Sequence, residues 1–182
     1  MAAETDSSIC LADDLSRGSL LRFRSRIAHP VLQALFDYWL ELHPGNGLPS
    51  RAEIDPSRIP RSALASTMLL DVERQETKQS VVRLRFRLVG TAVVELREGM
   101  VPRDPTGRYV DQVEFREGPE GPNRFYSTVA ISGRPGFQTL TYGPRHPRFR
   151  GIYHRLALPL SEDGIHANML LAGFSRAPSP KN

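Results

Sequence analysis

The groups best suited to chemistry in this chain are five histidines, one cysteine and an alternating run of arginines. His154 is in step with Leu156, Leu158 and Leu160, so in an extended strand its imidazole shares their inward face. An inward imidazole can ligate a haem iron. His166, in step with Asn168 and Leu170, is the second residue placed to do so. For both, an edge-exposed or hydrogen-bonded ring is the plainer reading. His29 and His43 flank an apolar segment, and His146 lies among arginines and prolines. Ser66, Ser127 and Ser132 stand outside any G-x-S-x-G elbow. Gly45-Asn46-Gly47 and the 118–121 segment fit neither a phosphate-binding loop nor a dinucleotide fingerprint. Asp104, Asp111 and Glu114 read as solvated loop charges, and no H-E-x-x-H or comparable metal spacing occurs. No catalytic residue and no metal site is therefore assigned, and an enzyme is not expected.

The arginines carry more pattern. From Val82 to Val89, Val82, Leu84, Phe86 and Leu88 alternate with Arg83, Arg85 and Arg87, a period of two with one apolar and one cationic face. Arg87 should point away from the core toward a helix cap, a carboxylate such as Asp71, or a partner. The net charge is +4, and all but two of the 24 basic residues are arginine. With Arg145, Arg148 and Arg150 this strand offers a phosphate-binding surface. The 20 interspersed acidic residues argue instead for a solvated mixed-charge surface, so nucleic acid is the lesser expectation.

Those groups need elements to hold them. Pro30 opens a helix whose Val31, Leu32, Leu35, Phe36, Trp39 and Leu42 recur at three- and four-residue spacing. His43-Pro44-Gly45 ends it, and Asp55-Pro56 starts a short helical turn toward Ala65. Met68–Glu73 and Val82–Val89 read as an antiparallel hairpin. Short helices follow near Thr91–Arg97, Tyr109–Phe115 and Arg124–Ile131. Three more strands come next, at Phe137–Tyr142, Tyr153–Leu160 and Ile165–Phe174, the last two joined through Ser161-Glu162-Asp163-Gly164. The pattern predicts an α+β fold, a five-stranded antiparallel sheet with helices on one face. Residues 1–28 read as a largely disordered tail apart from a short helix near Leu20–Ile27, 29–175 as the domain, and 176–182 as a disordered tail. Cys10, a lone thiol in a polar stretch, suits a reducing cytoplasm. Neither a secretory leader nor a membrane-spanning run is read, so the expected setting is the cytoplasm.

Several segments in this order resemble the PAS-domain family found as short proteins in alphaproteobacteria. They are Phe36-Asp37-Tyr38-Trp39, the 48–56 run Leu-Pro-Ser-Arg-Ala-Glu-Ile-Asp-Pro, Leu69-Leu70-Asp71-Val72, and Phe86-Arg87-Leu88-Val89-Gly90-Thr91. Thr106-Gly107-Arg108 and the 158–164 run Leu-Pro-Leu-Ser-Glu-Asp-Gly complete the set. The resemblance spans about Val31 to Phe174 and departs in two loops, Glu98–Pro105 and Pro144–Arg150. It implies a five-stranded sheet curved around a small cavity, an N-terminal capping helix and a role in signalling, through a small molecule, self-pairing or docking on a kinase.

On that basis the ligand-pocket candidates are Phe86, Leu88, Val94, Tyr109, Phe125, Leu140, Tyr142, Leu158 and Met169. Core packing is the plain alternative for each. No cofactor is required by the sequence, and with Cys10 outside the domain any small molecule is held noncovalently. Phe36 and Trp39 of the first helix, with Arg83, Arg85 and Arg87, are the partner-interface candidates. The expected function is a stand-alone PAS-like sensor or adaptor in bacterial signal transduction. Its expected partner is a signalling protein such as a histidine kinase, or a second copy as a homodimer. The alternatives are a small enzyme on a curved sheet and an arginine-driven nucleic-acid binder.

Overall fold

In a computed structural model the chain is described over residues 8–75, 78–115, 120–142 and 151–177. Chain order gives β1 (Cys10–Leu11), α1 (Arg17–Arg26), α2 (Pro30–Leu42), α3 (Arg61–Leu64), β2 (Thr67–Gln75) and β3 (Lys78–Val89). Then come α4 (Thr91–Leu96), α5 (Glu120–Ser132), β4 (Gly136–Tyr142), β5 (Gly151–Leu160) and β6 (Met169–Arg176). The strands form one sheet in the order β1-β4-β5-β6-β2-β3, antiparallel throughout. The expected five strands are all present, and the two-residue β1 adds a sixth at the edge.

The expected N-terminal capping helix, α2, covers one face of the sheet, and α4 and α5 cover the other. The central strands are apolar on consecutive residues, as a sheet covered on both sides requires. Leu69, Leu156, Leu158, Leu160, Met169 and Leu171 meet α1 and α2 in one core, with Phe23, Phe36 and Trp39. Their neighbours Met68, Leu70, Ala157, Leu170 and Ala172 pack on the other face with Val93 of α4 and Phe125, Tyr126 and Val129 of α5. We call these the cap face and the cavity face.

Residues 8–28, expected to be mostly tail, are part of the cap layer. Cys10 and Leu11 pair with β4, Ser16 caps α1, and Leu20, Phe23 and Ile27 are buried. Their three- and four-residue spacing is the stripe that docks this helix. Arg24 and Asp37 join α1 to α2 by a bidentate ion pair.

The alternation of β3 is broken where the sequence shows it clean. Leu70 faces Phe86 and Leu69 faces Leu88, leaving Arg87 as an extra residue in a β-bulge. The bulge shifts Leu88 out of phase with Leu84 and Phe86, and it ends 47% exposed.

Candidate functional site

The cavity face holds a cavity whose empty volume, counted out to its open mouth, is about 560 Å³. Its floor is Met68, Phe86 and Phe174 on the sheet. Val93 and Leu96 of α4 and Pro122 and Tyr126 of α5 form two walls, and Met100, Pro105 and Phe115 of the intervening loop form a third. Two buried guanidinium groups, Arg97 and Arg155, complete the lining.

The two arginines are held differently. Arg97, just past α4, donates from Nε to the carbonyl of Arg103 (3.1 Å) and from an NH2 group to those of Pro102 (2.9 Å) and Glu114 (3.1 Å). Its guanidinium also lies 5.3 Å from the Phe115 ring centre. It thus ties residues 102–103 and 114 of the 98–115 loop to the end of α4 and fixes that wall. Arg155 sits in a row across the sheet, with Gln138 of β4 on one side and Phe174 of β6 on the other. Its Nε donates to Gln138 Oε1 at 2.7 Å, and it stacks 5.0 Å from the centre of the Phe125 ring. Buried charge is tolerated only with such partners. Each therefore presents a fixed positive dipole to an apolar space. Among the described residues the wall contains one hydroxyl, Tyr126, and no carboxylate or imidazole.

Of the nine expected pocket residues, Phe86 lines this cavity. Phe125 is a neighbour beneath Arg155, wholly buried in the same core. Val94 is one step off in the helix, because α4 turns Val93 inward instead. Leu158 and Met169 belong to the cap-face core, the opposite phase of their strands. Leu140 is buried outside the lining, and Leu88 is turned away by the bulge. Tyr109 lies on the outer flank of β3, its hydroxyl donating to Glu73 (3.1 Å) beneath Arg83. Tyr142 ends β4, with its side chain outside the described residues, as are residues 144–150. The period-two rule could have found Arg155, which steps with Ala157 rather than with His154. Arg97 and the loop wall leave no periodic trace.

Phe36 and Trp39 are not at a surface: both are fully buried between α2 and the sheet. Trp39 donates from Nε1 to the Pro159 carbonyl at 3.0 Å. The arginine strand is exposed as expected, but its charges are matched. Arg87 meets Asp71 at 2.7 Å, Arg85 meets Asp71 (3.2 Å) and Glu73 (3.7 Å), and Arg83 meets Asp111 at 3.1 Å. The Arg87–Asp71 pair is one of the contacts the sequence suggested. A ladder of this kind offers little net positive field to a phosphate backbone.

His154 faces the cap layer, not the cavity, stacked on Phe137 with Nδ1 3.1 Å from Thr139 Oγ1. His166 is exposed and bonded to Asp163, which also accepts from Ser161 Oγ and from the backbone of Ile165 and His166. Those bonds hold the Asp163 carboxyl well below the usual range and set the β5–β6 turn. Among the described residues no three His, Cys, Asp or Glu side chains gather to hold a metal ion, and no helix is long and apolar enough to cross a membrane.

A family model described as a PAS domain matches residues 27–104, from the start of α2 through β2, β3 and α4 into the loop that walls the cavity. No curated protein and no solved structure matches the chain.

Proposed function

We propose that this chain acts as a PAS-like sensor or adaptor module in bacterial signal transduction in the cytoplasm. It takes a small molecule noncovalently into the cavity-face cavity and reports occupancy to a signalling protein such as a histidine kinase, or to a second copy of itself. The observation that carries this reading is the cavity itself. Its wall is apolar except for two buried guanidinium groups and one tyrosine, an apolar lining with a few convergent polar groups of the kind small-molecule sites have. That lining favours a molecule with an apolar body and an anionic or hydrogen-bond-accepting head. The PAS-model match over residues 27–104 supports the same class of function. Transmission requires that a partner bind the occupied and empty forms with different affinity, since equal affinity shifts nothing.

Anilinonaphthalene sulfonate, an apolar ring system bearing one sulfonate, is a suitable probe. The native chain is expected to bind one molecule saturably, with native mass spectrometry reading the stoichiometry. Val93→Phe, which fills the α4 wall, is expected to weaken binding at least tenfold without unfolding the protein. Absence of saturable binding, or binding that Val93→Phe leaves unchanged, would remove the reading.

A further inference from the structure

The cap face contains a second arrangement of titratable groups, distinct from the cavity. His29 precedes α2 and acts as its N-cap: its Nδ1 accepts from the Val31 backbone N–H at 3.2 Å. Its other nitrogen, Nε2, faces Ser175 Oγ of β6 at 3.2 Å, next to the Arg176 backbone. Only the neutral ring with its proton on Nε2 satisfies both contacts. His154 of β5 lies across from it, ring centres 5.9 Å apart, buried between Phe137 and Thr139 of β4. The groups facing this pair are thus the Ser175 hydroxyl and Arg176 backbone from β6, Thr139 and Phe137 from β4, and the Val31 amide from α2. Among the described residues no carboxylate forms an ion pair with either ring.

We infer that His29 and His154 form an acid-operated latch that holds the N-terminal end of α2, and with it the cap layer, on the sheet. Protonating His29 turns its cap acceptor into a donor aimed at another donor. It also sets a positive charge at the helix N-terminus, where the backbone dipole is already positive. Protonating His154 places a second charge beside the first in a site without counter-ion. Burial holds both imidazoles below their ordinary range, and at His154 the neighbouring His29 lowers it further. The sign follows from linkage. A histidine depressed in the closed form stabilises closure fully above its ordinary value, and that stability is lost as pH falls below it. With an open-state value of about 6.5, each imidazole that stays neutral when closed raises the opening constant about tenfold between pH 7.5 and 5.5. The pair therefore predicts a rise between about tenfold and a hundredfold.

Amide hydrogen exchange on the full chain, corrected for intrinsic rates, reads this opening at Val31–Leu35 of α2 against the central strands β5 and β6. At pH 5.5 the α2 amides should open at least tenfold more than at pH 7.5. In the double variant His29→Asn/His154→Gln, where residue 29 keeps a cap acceptor that does not titrate, the pH ratio should fall at least about threefold below that of the wild type, with His43 at the far end of α2, also held low by burial, common to both. A wild-type ratio near one overturns the latch, as does a double variant that keeps the full rise. Should that variant fail to fold, imidazole titration of the wild type by NMR decides. At least one of the two rings still neutral at about pH 5.5 sustains the latch, and both rings protonated there overturn it.

Discussion

Replacing Trp39 with Phe tests whether the aromatic face of α2 is core or interface. Trp39 is the chain's one tryptophan and is fully buried, packed on Phe36 and His43 with ring centres 5.9 and 5.3 Å away. Two costs follow. Losing Nε1 leaves the buried Pro159 carbonyl without its 3.0 Å donor, worth about 1–3 kcal/mol. Losing one ring of the indole leaves a cavity costing about 1–2 kcal/mol, below the 3–5 of full truncation. Together these predict a loss of about 2–5 kcal/mol, and roughly 4–20 °C in Tm for a domain of this size. Urea unfolding followed by far-UV circular dichroism measures the loss, and gel filtration of both proteins should give the same elution. Unchanged stability with an altered elution volume would refute the assignment and return Trp39 to an interface.

Gly90 is the second test, because a Cβ there would press on the Ala65 carbonyl, 2.7 Å from its carbon, and lie 2.8 Å from the Thr67 oxygen. Gly90→Ala should destabilise by about 1–3 kcal/mol and weaken probe binding by displacing α4, while Gly18→Ala in α1, with only the end of Arg22 nearby, should not; equal melting curves for the two would refute the packing. The arginine ladder predicts weak oligonucleotide binding by the native chain, and Asp71→Ala/Asp111→Ala should add salt-dependent affinity, with a log–log slope steeper by up to about 2 on single strands. No gain at low salt would show that this face does not meet phosphates even when unmatched. Finally, saturating the cavity with anilinonaphthalene sulfonate should shift the His154 imidazole resonances and its titration midpoint, because Arg155 lines the cavity from the adjacent residue. A midpoint unchanged by the probe would show that the two faces are uncoupled.

Most of the fold was legible because it obeys two periods. The three- and four-residue spacing of Leu32, Leu35, Phe36 and Trp39 marks α2, and the hairpin signals place β2 beside β3 and β5 beside β6. Sheet order is less visible. Pairing between β2 and β6 joins segments about a hundred residues apart, and no local pattern announces it. Coverage on both faces was encoded, since Leu156-Ala157-Leu158 and Met169-Leu170-Leu171-Ala172 have no polar partner face. Reading only alternate residues of such runs leaves the second face unseen.

That same double coverage explains why the candidate site was mostly missed. Leu158 and Met169 are apolar and central, as pocket residues should be, yet a one-residue phase difference puts them under α2. Bulges compound the problem: a single extra residue at Arg87 is enough to move Leu88 from the expected pocket to the surface. The residues that do give the cavity its chemical character, Arg97 and Arg155, are charged, and charge in a sequence ordinarily marks a solvated surface. Their burial is legible only once the sheet is closed. His154 and Arg155 make the point most directly. Adjacent in sequence, they send one titratable ring to the cap layer and one guanidinium to the cavity. A single strand thereby carries the two groups most able to respond to proton and ligand.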